Sequence, residues 1–240
     1  MTRSTVDTFP ENDISARRMA GRIAALLPAG VALDVREIGD AAGSLFPVER
    51  EAVARAVAKR TREFSTGRLC ARAAMAALGV PPHPVPVGPQ REPVWPDGLV
   101  GTISHGGELC LAAVARKDHL LGLGIDLEVG DPLDPEVRGL ICTPDELRGA
   151  SAWAGAGVDP HKLVFSAKEA LYKVLFPRAR RFIDFLEVEI GVDADAGTWR
   201  PTSLPADVSA RMAAPIEGKF LVADGYVVTA AWASPPPAGG

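Results

Sequence analysis

Segments with the hydrophobic periodicity of a helix and segments with that of a strand alternate along the chain, and they predict its secondary structure. The first half opens with a helical pattern and continues with a strand pattern, in "ISARRMAGRIAALLP" and "VALDVREIG". A helix over residues 48–62 should follow. A second helix should then begin at Ser65 or Thr66, which favour helix caps, and end at Gly79.

Strands with tight turns follow a proline-rich loop. Leu99–Ile103 and Leu109–Ala115 should flank the turn Gly106-Gly107. Four more strand-like segments are "LLGLGIDLEVG", "FLEVEIGVD", "GKFLVA" and "YVVTAAWA". Asp224-Gly225 between the last two favours a hairpin. Strands joined as hairpins predict an α+β fold with antiparallel sheets rather than a doubly wound fold.

A long helix should separate the two groups of strands, after a loop and a short helix over residues 131–157. Asp159 can cap the long helix, Pro160 suits its first turn, and Pro177 should end it. Helices followed by strands therefore occur twice along the chain.

This repeated order predicts two α+β halves within the 240 residues. The linker is placed near Arg116–Leu120, which gives an N-terminal subdomain 1–116 and a C-terminal subdomain 117–233. Residues 234–240, "SPPPAGG", should form a disordered tail.

Composition narrows the class of protein. The net charge of −4 does not favour non-specific binding to nucleic acid. Three widely spaced cysteines without a CxxC pair indicate a reducing compartment. The polar N-terminus lacks the apolar core of a signal peptide, and no apolar run approaches the roughly 20 residues that span a bilayer. These features predict a cytoplasmic protein with no membrane partner.

Two carboxylates share one face of a predicted strand in "GIDLE". Residues two apart in a strand point the same way, so Asp126 and Glu128 should lie roughly 7 Å apart. Apolar neighbours indicate a strand that is at least half buried, where two carboxylates repel unless a cation joins them. Two interpretations stay open: an edge strand with both acids in water, or a metal or catalytic site.

Three charged residues interrupt the long helix "FSAKEALYKVLFP". Lys168, Glu169 and Lys173 are predicted on the arc opposite the apolar one, with Phe165 and Phe176 among them. A surface ion pair between Glu169 and Lys173, four residues apart, is the simplest interpretation. The two phenylalanines instead suggest that this face meets another part of the protein or a ligand.

Strand and helix together suggest a site. Asp126, Glu128 and Glu169 would supply three hard oxygen ligands, which suit Mg²⁺ shared with substrate phosphates. Lys168 and Lys173 would add positive charge for those phosphates. Zinc is disfavoured because the sequence has no Cys/His cluster.

A basic cluster and a Ser-His turn offer further anion-binding groups. Within the cluster only Glu63 is acidic, and its basic members are Arg55, Lys59, Arg60, Arg62, Arg68 and Arg72. Such a cluster indicates an anionic ligand, nucleic acid first among them, or a solvated helix face. "SHGG" places Ser104 and His105 at a strand end, where they could hold a phosphate or form a plain turn. Neither a P-loop nor a G-x-S-x-G motif accompanies them.

Four motifs in this order resemble a known family. They are "RTREFSTGRLCARAAM", "EPVWPDGLVGTISH", "GIDLE" and "FSAKEALYKVLFP". Together they are similar to the 4′-phosphopantetheinyl transferases, in particular the subgroup of the enterobactin-synthase component and the mycobacterial and streptomycete carrier-protein activators. The similarity covers residues 60–177.

The resemblance implies a fold and a reaction. Two pseudo-symmetric α+β halves would hold coenzyme A and Mg²⁺, or Mn²⁺ in its place, in the cleft between them. The enzyme, expected to be a monomer, would transfer the phosphopantetheine arm of coenzyme A to a serine of an apo acyl or peptidyl carrier protein and release 3′,5′-ADP. The resemblance does not choose among carriers of fatty acid, polyketide and nonribosomal peptide synthesis.

Residue roles follow from the same resemblance. Asp126, Glu128 and Glu169 would bind Mg²⁺, and Glu169 would also be the general base for the carrier serine. Lys173 would neutralise the pyrophosphate. Further contacts with coenzyme A are implied for Arg60, Arg68, Ser104, His105 and Lys168. Val87 stands where relatives often carry a basic residue, so nucleotide contacts there should differ, with Arg91 as a substitute.

Two competing functions remain at this stage. An enzyme of another class that binds an Mg²⁺-nucleotide is disfavoured by the missing P-loop. A nucleic-acid-binding protein would use the Arg55–Arg72 patch but leaves the three acids unexplained. A transferase would dock an acidic helical carrier, for which the segment Leu140–Val158 is the predicted surface.

Overall fold

The computed structural model describes residues 14–236, which fold into helices and two antiparallel sheets. The first half contains α1 (Ile14–Ala24), β1 (Ala32–Glu37), α2 (Pro47–Val53), α3 (Ala58–Ala77), β2 (Leu99–Gly106) and β3 (Leu109–Arg116). The second half contains β4 (Gly122–Val129), α4 (Pro135–Ile141), α5 (Pro144–Gly149), α6 (Pro160–Ala179), β5 (Glu189–Asp193), β6 (Thr198–Ser203), α7 (Ala206–Ser209), β7 (Ile216–Ala223) and β8 (Tyr226–Ala233). Short 3-10 helices lie at Ala42–Ser44, Ala150–Ala156 and Phe185–Glu187. The predicted α+β class is confirmed.

The chain changes from one sheet to the other between Arg116 and Gly122. The first sheet has the order β1-β3-β2, and the second has the order β4-β8-β7-β6-β5. Asp224 and Gly225 join β7 to β8 with positive φ angles of 51° and 80°. Positive φ at both positions belongs to the tight hairpin turn that this residue pair favours, so the predicted hairpin is confirmed.

The two sheets meet where β2 runs beside β4. Thr102 Oγ1 accepts a hydrogen bond from Ile125 N at 3.2 Å, and Ser104 Oγ accepts one from Leu127 N at 3.3 Å. A Cβ atom on Gly106 would collide with the Leu127 carbonyl, so only glycine permits this approach. Side-chain hydroxyls therefore bridge the two sheets.

The halves also share a hydrophobic core. One cluster of buried side chains combines Met19 of α1 and Leu111 of β3 with Leu127 of β4 and Val228 of β8. Burial of apolar surface from both halves in one cluster stabilises their relative position.

Helix α6 covers the second sheet with the predicted apolar arc. The residues of this arc are all buried: Leu163, Val164, Ala167, Ala170, Leu171, Val174 and Leu175. A Cβ atom on Gly124 would collide with the Ala170 carbonyl, and one on Gly122 would meet the Val174 side chain. These glycines let α6 lie directly on β4, which brings the charged residues of both elements together.

Two predicted helix boundaries are wrong. The break in the first half lies between Val53 and Ala58, so Ser65 and Thr66 lie inside α3 instead of capping it. Thr66 Oγ1 exchanges hydrogen bonds of 3.2 Å with the Gly39 backbone, a tertiary contact that the local pattern does not show.

The second wrong boundary is Pro177, which lies within α6. Proline removes only one backbone hydrogen bond so near the end of a helix, and α6 continues to Ala179. Strand β6 was missed because its sequence, "TWRPTS", has little apolar alternation.

The termini lie partly outside the described residues. The polar segment 1–13 and residues 237–240 of the predicted tail are beyond them, whereas residues 234–236 have no regular secondary structure. No helix between residues 14 and 236 is both long and apolar enough to cross a membrane.

Candidate active site

Asp126 lies where β2, β4 and α6 meet. Its Oδ1 accepts hydrogen bonds from Ser104 Oγ at 3.1 Å and from Lys173 Nζ at 2.9 Å. Lys173 Nζ also donates to Ser104 Oγ at 3.2 Å and to the Ile125 carbonyl at 2.8 Å. The structure thus brings Asp126, Lys173 and Ser104 into one hydrogen-bonded cluster that crosses the seam between the halves.

The cluster carries an excess of buried negative charge. Burial raises the pKa of Glu128 above its ordinary 4.5, and the charge of Asp126 adds to this effect. Burial likewise raises the pKa of Glu169; Lys173 opposes the shift, while Asp126 and Glu128 reinforce it. Since the neighbouring carboxylates disfavour ionisation of Glu128 and Glu169, a further positive group would stabilise the cluster.

The donor set fits a divalent cation. Asp126 Oδ2 is buried and accepts no hydrogen bond from any described residue. Buried polar atoms are nearly always partnered, so this oxygen is suited to a ligand. No three His, Cys, Asp or Glu side chains within residues 14–236 form a complete metal site. Mg²⁺ commonly takes only one or two carboxylates, with water and substrate phosphates as its other ligands.

The simpler interpretations of strand and helix are both wrong. β4 is an edge strand of its sheet, but its free edge faces β2, and Asp126 is only 5% exposed. Lys173 does not form a surface pair with Glu169, because its ammonium group is bonded to Asp126, Ser104 and Ile125.

Lys162 is a member of the site that the sequence analysis missed. Its Nζ donates to Glu128 Oε2 at 3.2 Å, and its side chain is only 13% exposed. It precedes Glu169 by seven residues, which is two helical turns and therefore the same face of α6. This seven-residue spacing from Glu169 is the sequence signal that could have identified Lys162 as a site residue. Two lysines thus hold two carboxylates, Lys162 with Glu128 and Lys173 with Asp126.

Lys168 does not belong to this cluster, which corrects the prediction that it contacts coenzyme A phosphates. Its side chain is 1% exposed, and its Nζ donates to Glu146 Oε2 at 2.6 Å. It also donates to the carbonyls of Ile141 at 2.9 Å and Phe185 at 2.8 Å. Three acceptors use all three N–H groups of the ammonium, so none is left for a phosphate.

Arg60 and His105 meet at the first-half side of the seam. Arg60 Nη1 lies 3.2 Å from His105 Nε2, and Glu63 is close to both, at 3.7 Å and 3.8 Å. A guanidinium group can only donate, so Nε2 is the accepting nitrogen of a neutral ring. Burial, with a smaller contribution from Arg60, lowers the pKa of His105, in agreement with the neutral form. Arg60 is half exposed, so it is the member of this pair that presents a positive charge to a ligand.

The rest of the basic cluster does not form one surface. Arg68 Nε donates to the Val85 carbonyl at 2.6 Å, and its guanidinium lies 4.1 Å from the Phe64 ring centre. Burial lowers the pKa of Arg68 to about 10. Arg72 pairs with buried Glu49 at 3.1 Å. These arginines anchor the loop before Val87, so an arginine-rich nucleic-acid face is not supported.

Two cavities adjoin Glu169 and Tyr172. One of about 540 Å³ lies between the halves and is lined by Trp95 and Ile103 on one side and by Lys173 and Phe176 on the other. A smaller one of about 140 Å³ lies within the second half, and its lining includes Phe182, Asp184 and Phe185. Glu169 therefore separates two spaces that could each receive part of a substrate.

Comparisons with known proteins identify the same family in both halves of the chain. Residues 48–115 match the family model of the 4′-phosphopantetheinyl transferase N-terminal domain. Residues 122–231 match the model of the 4′-phosphopantetheinyl transferase superfamily.

The similar individual proteins include two 4′-phosphopantetheinyl transferases and an enterobactin synthase component. The chain is 41% identical to the 4′-phosphopantetheinyl transferase Svp of Streptomyces mobaraensis over 87% of each chain. It is 36% identical to PptT of Mycobacterium tuberculosis, over 87% of this chain and 96% of that protein. It is 34% identical to enterobactin synthase component D of Salmonella typhi over 50% of each.

A solved structure, the holo-ACP-synthase from Plasmodium yoelii, gives a TM-score of 0.35 at 18% identity. It covers 49% of this chain and 97% of that one, and by itself it adds nothing to the sequence comparisons.

Proposed function

The chain belongs to the 4′-phosphopantetheinyl transferase superfamily and is a coenzyme A-dependent transferase that acts on carrier proteins; from this premise we propose that its reaction takes place at the carboxylate cluster of the seam. The observation that carries the proposal is that Glu128 and Glu169, whose pKa values are raised by burial and in part by Asp126, neighbour the carboxylate that has the unpartnered Oδ2. The chemistry is a phosphoryl transfer, in which positioning and charge neutralisation do most of the work.

Asp126, Glu128 and Glu169 would hold Mg²⁺, which when bound would neutralise charge on the pyrophosphate. Glu169 accepts the proton of the carrier serine as its oxygen attacks the phosphorus atom that bears the pantetheine arm. The bond from that phosphorus to the bridging oxygen breaks, and 3′,5′-ADP leaves. A carboxylate with a raised pKa is a better proton acceptor near neutral pH than an ordinary one.

Basic side chains on both sides of the seam hold the anionic substrate. Lys173 is bonded to three protein acceptors but is partly exposed, so it neutralises the pyrophosphate from α6 by its charge, and Arg60 and the neutral His105 contact phosphates of coenzyme A from the first half. Ser104 and Arg68 remain proposed contacts of coenzyme A. Ser104 is already bonded to Asp126, and Arg68 to the loop that leads to Val87.

The division into subdomains 1–116 and 117–233 is part of this proposal, supported by the change of sheet between Arg116 and Gly122. We propose a monomer that docks the carrier protein on residues 140–158. Leu140 and Leu147 expose apolar side chains there, Leu140 to 66%.

Intact mass spectrometry of several apo-carrier proteins, incubated with the protein, coenzyme A and Mg²⁺, tests the proposal. We expect a gain of one phosphopantetheinyl group, loss of this gain with EDTA and its return with excess Mg²⁺. Failure to modify any carrier, together with no measurable binding of coenzyme A, would contradict the proposed function. If carriers are still modified in EDTA, the proposed metal requirement is wrong, whereas the proposed transfer activity stands.

A further inference from the structure

The buried ion pair Lys168–Glu146 connects α6 to three other segments. Besides its bond with Lys168, Glu146 Oε2 accepts a hydrogen bond from Thr143 N at 2.8 Å, and Glu146 Oε1 accepts one from Ile190 N at 2.9 Å. Lys168 adds the carbonyls of Ile141 and Phe185. The pair thus joins the end of α4, the start of α5, and the segment from Phe185 to β5.

This junction lies directly behind the reacting groups. Glu169 is the next residue of α6, and the smaller cavity beside it has α6 as one wall and residues 182–188 as the other. The Phe185 carbonyl, in the middle of that second wall, accepts its hydrogen bond from Lys168. Phe182, in the same wall, is 69% exposed and contacts Tyr172 at a ring distance of 6.2 Å. Ile183 and Val188 anchor this wall in the core and Phe185 packs on Phe165, and the Lys168 bond adds a directed contact that fixes the Phe185 backbone.

A stability role alone does not explain a charged pair here. Burial of two charges costs desolvation free energy, and apolar residues of similar size often give equal or greater stability. What this hydrogen-bonded pair adds is fixed geometry, because Lys168 holds the carbonyls of Ile141 and Phe185 and Glu146 holds the N–H groups of Thr143 and Ile190.

We propose that Lys168, paired with Glu146, is a positioning residue that fixes the 182–188 wall opposite Glu169; this rests on the proposed function. The groups that meet at Glu169 are the carrier serine and the phosphate of the pantetheine arm. The nucleotide end of coenzyme A is held across the seam by Arg60 and His105. Loss of the pair should therefore impair turnover and leave nucleotide binding unchanged.

The test uses Lys168→Met, Glu146→Gln, the double variant, Lys168→Arg and, as matched control, Lys219→Met on β7. Each full-length protein is assayed well below its own Tm. We expect kcat to fall about tenfold or more in the first three, since small misplacements at a reacting centre can cost about 10²-fold. Lys168→Arg should recover most of the rate, and Lys219→Met should match the parent.

Two further readouts separate positioning from other roles. The Kd for 3′,5′-ADP should stay within about twofold of the parent, well below the tenfold change that 1.4 kcal/mol of lost contact produces. Hydrogen exchange at residues 182–188 should accelerate while the core strands β4 and β8 keep their protection. The double variant lacks both buried charges, so it remains informative if a single variant does not fold.

Three results would overturn the inference. A folded double variant with parental kcat would make the pair purely structural. A higher Kd for 3′,5′-ADP in Lys168→Met, alone among the variants, would show that Lys168 binds a phosphate of the nucleotide. Unchanged exchange at residues 182–188 would exclude the wall as the element that the pair holds. If the parent protein without substitutions transfers no phosphopantetheine, the proposed function is contradicted. This assay of the parent precedes every comparison with a variant.

Discussion

Ser104 Oγ donates a hydrogen bond of 3.1 Å to Asp126 Oδ1, and this bond joins the two halves of the molecule at the centre of the carboxylate cluster. The same hydroxyl accepts hydrogen bonds from Lys173 Nζ and Leu127 N. Its donor is thus directed to Asp126, which leaves Oδ2 of that carboxylate turned away and unpartnered. Ser104 orients a proposed metal ligand.

Ser104→Ala should weaken the affinity for Mg²⁺ without unfolding the protein. Residues that orient a metal ligand typically contribute about 10–100-fold to metal affinity, so the Mg²⁺ concentration for half-maximal rate should rise by about that factor. The buried Leu127 N–H would lose its acceptor, at a cost of about 1–3 kcal/mol in the free energy of unfolding. Mg²⁺ titration of the transfer rate and urea unfolding check the two effects.

Thr102→Val is the matched control, because Thr102 bridges the same strands through Ile125 but does not touch the carboxylates. It should lose comparable stability and keep the Mg²⁺ dependence of the parent. An equal rise in the Mg²⁺ requirement for both variants would assign the effect to packing between the halves instead of to Asp126.

Gly124→Ala should damage both stability and transfer. The new methyl group would collide with the Ala170 carbonyl and push α6 away from β4. Overpacking of this kind costs about 1–3 kcal/mol, and the shift would separate Glu169 and Lys173 from Asp126. Thermal unfolding and the transfer rate are the measurements.

Gly139→Ala in α4 is the control for Gly124→Ala, since nothing lies within 4 Å of the added methyl group. It should be neutral or stabilise the protein by about 0.5–1 kcal/mol, as expected for glycine replaced in a helix. A Gly124→Ala variant with parental Tm and rate would show that the close approach of α6 is not required.

Arg60→Ala should raise the KM for coenzyme A about tenfold or more and change the KM for the carrier much less. Hydrogen bonds to charged groups contribute about 1.5–3 kcal/mol, and Arg60 is half exposed and directed at His105 rather than anchored in the core. Steady-state kinetics with each substrate varied in turn give both constants.

Arg62→Ala is the control for Arg60→Ala, because Arg62 is exposed on the same helix two residues further on. Its coenzyme A KM should stay near the parental value. Equal effects of the two substitutions would indicate a diffuse attraction of α3 for anions and would remove Arg60 from the site.

Local sequence patterns predicted the elements that carry the site because their signals are local. Asp159 caps α6 through a hydrogen bond from His161 N, as its position before Pro160 indicated. Alternation in "GIDLE" gave the correct shared face of Asp126 and Glu128 on β4.

Contacts between segments that are distant in the sequence determine side-chain positions that the local hydrophobic pattern does not predict. Lys168 is on the helical arc predicted to be polar, yet Glu146, 22 residues earlier, holds it inside the fold. At about 100° per residue Lys168 and Lys173 lie on opposite edges of the polar arc, but only the position of α5 shows which of them is enclosed. Thr66 shows the same limit, because its bonding partner Gly39 lies 27 residues away.

Glu169→Gln should lower the transfer rate by about 10²–10⁴-fold, the usual contribution of a general base. Gln keeps the size of the side chain, so binding of coenzyme A should persist. Glu217→Gln, an exposed substitution on β7, should leave the rate unchanged. Full activity in Glu169→Gln would exclude its role as base.

The same substitution should stabilise the protein in EDTA at neutral pH. Burial and the charges of Asp126 and Glu128 raise the pKa of Glu169 in the folded state above 4.5. The folded state thus binds a proton at Glu169 more readily than the unfolded state does. The stability contributed by this proton is fully present below the unfolded value and is lost as the pH rises through the folded one.

At pH 7 the ionised Glu169 therefore opposes folding, and Glu169→Gln removes that penalty. In EDTA the Tm difference between Glu169→Gln and the parent should be positive at pH 7 and should vanish as the pH falls below 4.5. Excess Mg²⁺ should reverse the order, because an ion that binds the native state stabilises the protein that binds it more tightly. A Glu169→Gln variant less stable than the parent in EDTA at pH 7 would mean that Lys173 compensates the buried charge fully, and the carboxylates would then not need a metal to coexist.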